Sequence, residues 1–228
     1  MRQKNSIRLA QLGPFEQLRA GRLGRRLTQL MIGLVFYGVS MGMMIRGSLG
    51  LAPWDALHIG LTHYFPVSFA WVFITVSFAV LLLWVPLREI PGVGTIANAI
   101  TIGIATDLTM RVLDTPDHFL ARLGLTVGGV ALCGLGSALY IGVQLGRGPR
   151  DGLMTGLQRV TGLSLRLVRT ALEVSVLLVG LMLGGVGLFG IGTVLFALLI
   201  GPLTQAMLPW AMIEVETDPR HAAGVPTC

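Results

Sequence analysis

The chain has 228 residues, of which 53% are hydrophobic and 12% are charged, and its net charge is +6. A soluble domain carries about a quarter charged residues, so this composition argues against a soluble enzyme and predicts a membrane protein. The positive charge does not indicate nucleic-acid binding, because the basic residues stand at the ends of apolar segments, where membrane topology places them. The two cysteines, Cys133 and Cys228, form no metal-binding spacing.

The first 26 residues form a basic segment in which apolar residues alternate with arginines. This pattern is typical of a segment that lies on anionic lipid. No small-x-small cleavage site precedes the first long apolar run, so we expect that run to stay as a membrane anchor. The positive-inside rule places the basic segment in the cytoplasm.

Six apolar runs are long enough to cross a hydrocarbon core of about 30 Å, which takes about 20 helical residues. Arginine is concentrated on one predicted side, at the N-terminal segment and at residues 147–169, which indicates that both termini are cytoplasmic. The sequence therefore predicts an all-α polytopic bundle in a bacterial cytoplasmic membrane, with a C-terminal tail at residues 210–228. The predicted spans are residues 27–46, 67–87, 93–112, 123–145, 164–183 and 188–209.

The two halves of the chain repeat the same order of motifs. Since each half contains three spans, the second half enters the membrane from the opposite side. The prediction is an inverted repeat of residues 27–112 and 123–209, joined by an external loop at residues 113–122. Secondary transporters share this arrangement and bind solutes between the repeats. The aligned segments are residues 49–57 with 145–153, 94–95 with 192–193, and 102–103 with 200–201.

Each half carries a Gly-x-x-Pro-x-Asp motif, with Pro53 and Asp55 in the first half and Pro149 and Asp151 in the second. Proline suits the first position of a helix, and aspartate in the first turn faces the positive end of the helix dipole. The motifs predict short helices at residues 53–64 and 149–160, about 18 Å long and unable to span the bilayer. Either both aspartates stabilise helix starts on the membrane surface, or both helices are re-entrant and point their N-termini at a shared anion-binding cavity.

Several polar residues could contribute to a ligand site of this kind. Arginines near the motifs would strengthen an anion site, and ionisable residues inside spans usually face the bundle interior. Asp107 has an alternative explanation, solvation at the outer interface. An aromatic belt explains Trp54 together with Trp71, Trp84 and Trp210, and ligand stacking is a minor alternative for Trp54. The candidate ligand-binding residues are Arg46, Trp54, Asp55, Asn98, Asp107, Arg147, Arg150 and Asp151.

Three further ionisable residues favour a structural interpretation. Glu173 follows Arg169 by four residues, so on a helix the two charges neutralise each other. His58 and His63 are five residues apart, which is a poor spacing for a shared metal, and we expect both at the membrane interface. The sequence therefore predicts no metal site and no cofactor.

The first-half motifs resemble the bacterial YczE/YyaS/YitT family of inner-membrane proteins. The resemblance is carried by residues 49–55 (Leu-Gly-Leu-Ala-Pro-Trp-Asp) and 94–98 (Gly-Thr-Ile-Ala-Asn), and it extends over residues 27–209. The second half has Arg150 where the first has Trp54, so two equivalent sites are not expected. The resemblance implies the localisation and the number of helices, and it supplies no substrate.

The repeat with its paired helix starts favours a permease-like transporter for a small polar or anionic solute bound between the halves. Two alternatives remain: a non-transporting scaffold that binds a partner protein, and a ligand-capturing subunit of a multi-component transporter. No phosphate-binding loop, dinucleotide fingerprint or hydrolase motif occurs, so we do not expect an enzyme. The expected partners are the lipid bilayer, the solute and, as a further option, a second copy of the chain.

Overall fold

The computed structural model describes Gly13, Gln17 and residues 20–213. Across this part of the chain the secondary structure is helical, without a strand. Eight α-helices and one 3-10 turn, Val186–Leu188, follow each other. The predicted lipid-binding segment at residues 1–26 and the C-terminal tail lie largely outside the described residues. The helices are α1 Leu23–Gly47, α2 Pro53–Thr62, α3 Phe69–Leu87, α4 Val93–Val112, α5 Phe119–Gly142, α6 Pro149–Thr161, α7 Leu165–Gly184 and α8 Ile191–Ala211.

Six of these helices, α1, α3, α4, α5, α7 and α8, are long and apolar enough to cross a membrane. The prediction of six spans is confirmed, and the predicted ends differ from the observed ones by four residues or fewer. The short helices α2 and α6 begin at the prolines that the sequence indicated. The protein is therefore an all-α membrane bundle with two short helices packed among six long ones.

The centre of the bundle is the packing of α1 against α5, which depends on glycine. A Cβ atom on Gly136 would lie 2.7 Å from the backbone nitrogen of Tyr37 and 2.8 Å from the carbonyl oxygen of Gly33. Such close backbone approach is how helices associate in lipid, where apolar burial provides no net driving force. Each central helix also packs against the last helix of its own half, α1 against α4 and α5 against α8.

The two halves are joined by equivalent contacts, in which each half packs and bonds against the other. The short helix α2 packs on α7, and α6 packs on α3, so each short helix lies against the other half. The amide of Gly94 at the start of α4 donates to the Leu145 carbonyl (2.8 Å), and the amide of Gly192 at the start of α8 donates to the Leu49 carbonyl (2.7 Å). Aligned motifs thus make equivalent bonds, while the inverted orientation of the halves in a membrane stays a prediction.

The aligned Gly-Thr motifs share a second role at these helix starts. The backbone amide of Gly92 donates to Thr95 Oγ1 (3.1 Å), and that of Gly190 donates to Thr193 Oγ1 (3.3 Å). Each threonine stands at the third helical position and satisfies an amide that the helix itself leaves without a partner. This bond explains why the motif recurs in both halves.

Two expectations about aromatic and imidazole side chains are wrong. Trp84 is buried and its indole N–H donates to the carbonyl of Pro149 (3.0 Å), so it joins α3 to α6 and not the protein to a lipid interface. Trp54 and His58 are also buried, because α2 lies inside the bundle. Trp71 and Trp210 are exposed and remain compatible with an aromatic belt.

Replacing Gly136 by alanine should lower the free energy of unfolding by about 1–3 kcal/mol, because the new methyl group forces α1 and α5 apart. Gly124→Ala on the same helix is the matched control, since a Cβ there meets nothing within 4 Å. Thermal unfolding of the purified protein in detergent measures the difference. Equal melting temperatures for the two variants would contradict the assignment of Gly136 to the central contact.

Candidate functional site

The starts of the two short helices meet at one cavity of about 240 Å³. Pro53 and Pro149 are the first residues of α2 and α6, and no side chain caps either helix start. Gly50 and Gly146 precede them with φ angles of +111° and +123°, a region that residues with a side chain rarely adopt. The glycines turn the chain after α1 and α5, and the prolines then begin helices whose amide ends face the cavity.

Four of the predicted site residues line this cavity: Trp54, Asn98, Arg150 and Asp151. Asp55 lies directly behind it, where its Oδ1 atom is 3.9 Å from Arg150 Nη2. Residues of α1, α3, α5, α7 and α8 complete the wall. The cavity therefore lies between the two halves, as the repeat predicted.

Aromatic rings hold the Arg150 guanidinium in place. Its central carbon lies 5.0 Å from the ring centroid of Trp54 on α2 and 5.4 Å from that of Phe73 on α3. A cation over an aromatic face is attracted by the ring quadrupole. Trp54 and Arg150 occupy aligned positions of the two motifs, so the difference between the halves produces this contact.

Four buried polar atoms around this arginine have no hydrogen-bond partner within the described part of the chain. They are Trp54 Nε1, Asp55 Oδ1, His58 Nδ1 and Arg150 Nη2. Native proteins leave few buried polar atoms unpaired, and such atoms need a reason. A small void of about 10 Å³ adjoins Trp54, His58 and Arg150, close to the smallest space that holds a water. Asp55 is only 2% exposed, so the alternative of a helix start on the surface is wrong for this residue, whereas Asp151 is exposed in the first turn of α6.

The other charged groups on the cavity wall already have partners. Asp151 Oδ2 accepts a hydrogen bond from the hydroxyl of Tyr140 (2.5 Å). Arg169 Nε donates to Glu173 Oε1 (2.8 Å) along α7, which confirms the predicted neutralising pair. Arg150 is thus the arginine of the cavity wall whose guanidinium makes no hydrogen bond among the described residues.

Three predicted site residues lie away from the cavity. Arg46 Nε donates to the carbonyl of Met110 (3.1 Å), near the last turn of α4. Asp107 pairs with Arg111 at 2.9 Å, one turn along α4. Arg147 is exposed and donates to Thr155 Oγ1 (2.9 Å), because only its backbone faces inward. These three side chains bond to nearby groups elsewhere in the structure.

Sequence reasoning also missed residues on the wall, among them Tyr140, Arg169, Glu173 and Gln205. Tyr140 and Gln205 stand in apolar runs without a motif. The offset of 96 that aligns residues 49–57 with 145–153 also aligns Phe73 with Arg169, but only the structure shows that Phe73 lines the cavity. In the sequence, the local pairing of Arg169 with Glu173 favours a structural role.

The halves differ on either side of the cavity. α3 packs along α4, whereas α7 and α8 hardly touch each other. A Cβ on Gly103 of α4 would lie 3.0 Å from the Phe73 ring, but a Cβ on Gly201, the aligned residue of α8, would meet nothing within 4 Å. Both Gly201 and Arg169 line the cavity. The cavity is therefore closed between α3 and α4 and open between α7 and α8.

Residues 24–209 match the model of a protein family described as a family of unknown function (DUF6198). The chain belongs to this family. It is 39% identical to an uncharacterized protein of Haemophilus influenzae, over 78% of this chain and 81% of that relative. It is 31% identical to the uncharacterized membrane protein YczE of Bacillus subtilis, over 81% and 86%, and 26% identical to YyaS of the same organism, over 78% and 90%. No solved structure matches it.

The relatives agree with the resemblance found in the first-half motifs, since two of them are YczE and YyaS. The matched range of the family model runs from the start of α1 to the end of α8 and therefore includes both short helices. YczE is described as a membrane protein, and none of the three relatives is described by an activity.

Arg150→Met should destabilise the protein by about 2 kcal/mol, because it leaves the buried Asp55 carboxylate without a counter-charge. This value is below that for a fully buried pair, since the Arg150 side chain is 21% exposed and the ion pair is long. The double variant Asp55→Asn/Arg150→Met should recover most of the loss. Thermal unfolding of both variants, with Arg147→Met as the exposed control, measures the coupling. A double variant no more stable than Arg150→Met would contradict it.

Proposed function

We propose that this protein is a membrane permease for a small anionic solute, which binds Arg150 in the cavity between the two halves. The observation that carries the proposal is the position of this guanidinium, at the meeting point of two uncapped helix starts. A helix N-terminus carries about half a positive charge and free amide donors. The two helix starts and Arg150 supply the positive charge and the donors that attract a carboxylate or another oxyanion, against the charges of Asp55 and Asp151 in the same first turns.

The geometry of the arginine favours planar oxyanions. A guanidinium presents donors in a fixed fork that matches two oxygens of a carboxylate. Stacking between Trp54 and Phe73 restricts the plane of this fork, so less conformational entropy is lost when the anion binds. The unpartnered indole N–H of Trp54 is a further buried donor beside the arginine.

The size of the cavity limits the solute. A volume of about 240 Å³ equals roughly eight water molecules at about 30 Å³ each. Pockets for larger organic ligands measure about 300–1,000 Å³. We therefore propose a solute of a few carbon atoms at most, with its charged group at Arg150.

Filling the cavity should abolish binding without unfolding the protein. Gly201→Leu adds a side chain where a Cβ has open space, and Gly124→Leu does the same on α5, away from the cavity. Thermal-shift titrations of the detergent-purified protein with formate, acetate, lactate, nitrate and phosphate measure binding, because a specific ligand raises the melting temperature with its concentration.

We expect at least one anion to stabilise the natural protein and the Gly124→Leu variant, but not Gly201→Leu. Flux of that anion into proteoliposomes then tests transport. An anion that binds without flux would favour the ligand-capturing subunit. No stabilisation by any anion would remove the basis for the proposed site.

The difference between the halves supports transport over static binding. In an inverted repeat, each half can adopt the packing of the other, which opens a central site to alternate sides. In the first half, Phe73 packs against Gly103 and closes the space between α3 and α4. The aligned residues of the second half, Arg169 and Gly201, lie on helices α7 and α8, which hardly touch. We infer a second state in which α7 closes on α8 and α3 leaves α4.

Cysteine pairs test the two states. On a background with Cys133→Ser and Cys228→Ser, Phe73→Cys/Gly103→Cys should cross-link, since the Cβ positions are 3.2 Å apart, close to the spacing of a disulfide. Arg169→Cys/Gly201→Cys should cross-link in membranes only if the second state forms. Gly134→Cys/Leu203→Cys, between the packed α5 and α8, is the positive control. Cross-linking of the first pair and the control, without the second pair, would contradict alternation.

A further inference from the structure

We infer that the permease couples anion transport to protons, with Asp55 taking up one proton when an anion binds Arg150. The inference rests on the proposed function and assigns the coupling ion and its carrier. The positive charge that would hold the solute is also the counter-charge of a buried carboxylate. Asp55 Oδ1 lies 3.9 Å from Arg150 Nη2, and neither atom has a hydrogen-bond partner within residues 20–213.

Within the described part of the chain, Asp55 forms an ion pair with Arg150 and with no second cation. The ionisable groups that interact electrostatically with Asp55 are Tyr37 on α1, Cys133 on α5 and Arg150 on α6, and His58 lies one turn further along α2. Three of them are weak acids or a histidine, and Arg150 is the permanent cation. The side chains of α3 and α4 that line the void beside Arg150, among them Phe73 and Asn98, do not titrate. On α7, which packs on α2, the charged residues Arg169 and Glu173 pair with each other.

An anion that binds Arg150 weakens the attraction between Arg150 and Asp55, because its negative charge offsets the positive charge of the guanidinium. It also brings a second negative charge close to the Asp55 carboxylate. A buried carboxylate without compensation is costly, and it lowers that cost by taking a proton and becoming neutral. Anion binding and protonation of Asp55 therefore support each other, and by linkage each raises the affinity for the other.

The carboxylates nearer the solute are less suited to this role. Asp151 keeps the hydroxyl of Tyr140 as donor at 2.5 Å, and Glu173 keeps Arg169 at 2.8 Å. These partners come from the protein and stay when the anion binds. The counter-charge of Asp55 is Arg150, and the proposed solute binds the same guanidinium.

The charges of the step balance. One proton passes from the solution to a carboxylate oxygen of Asp55 as one monovalent anion binds Arg150, and both leave together on the other side. The loaded site gains no net charge. We therefore expect electroneutral symport of one proton per monovalent anion, with a flux that does not respond to the membrane potential.

Calorimetric titration at about pH 7 in buffers of different ionisation enthalpy counts the protons bound per anion. The probes are lactate and nitrate, which stay ionised between about pH 6 and about pH 8. The natural protein should take up about one proton per anion, and its Kd should rise up to about tenfold per pH unit. Asp55→Asn imitates the neutral acid, so it should still bind the anion, take up no proton and lose the pH dependence of Kd.

Three variants separate this role from its rivals. Asp107→Asn, on the distant Arg111 pair, should keep both binding and proton uptake. Loss of proton uptake in Asp151→Asn or His58→Gln, with uptake intact in Asp55→Asn, would overturn the assignment. Binding without proton uptake in the natural protein would overturn the coupling and leave the anion site standing. Failure of both anions to bind, with no stabilisation by any of the anions in the thermal-shift titrations, would overturn the proposed anion site together with this inference.

Discussion

Backbone polar groups inside a membrane must find their partners within the protein, because lipid offers none. This constraint accounts for the positions of α2 and α6. After α1 and α5 the chain breaks at Gly50 and Gly146 and starts again as a short helix. Each break is covered by the glycine-rich start of the last helix in the opposite half, whose amide donates to a carbonyl in the break. The bundle can hold two helix starts in its interior because the halves close each other.

The same arrangement brings charge into the interior. Asp55 and Arg150 come from the first turns of the two short helices, and each is tolerated because the other is present. Replacing both by packed apolar residues would often cost a protein nothing, so the pair is better explained by function than by stability. The aromatic rings beside the arginine and the unpartnered atoms around it are compatible with the proposed binding site.

The sequence predicted the parts of this structure that depend on local chemistry. Long apolar runs predicted the six spans, and proline with aspartate predicted where α2 and α6 begin. For the two motifs the sequence left two alternatives, helix starts on the surface or a shared cavity, and the structure brings both helix starts to one cavity. Sequence spacing could not tell which side of each helix faces that cavity, since rotation about the helix axis is set by packing with other helices. For this reason Arg46, Asp107 and Arg147 were selected although they bond elsewhere.

Packing between helices also decides the positions of the residues that sequence reasoning missed. The pairing of Arg169 with Glu173 follows from their spacing, but the position of this pair on the cavity wall depends on how α7 packs on α2. Burial of Trp84 likewise depends on Gly152, which leaves room for the indole on α6. Such contacts join distant parts of the chain, and no single segment encodes them.

The crossed hydrogen bonds also bear on how the protein is made. During synthesis the carbonyl of Leu49 leaves the ribosome long before Gly192, its donor, exists. The carbonyl of Leu49, at the break between α1 and α2, therefore has no such donor until the last helix has been inserted. In the N-terminal half alone, the carbonyl of Leu49 lacks this donor. Two separately expressed halves should mature only when they meet in the same membrane.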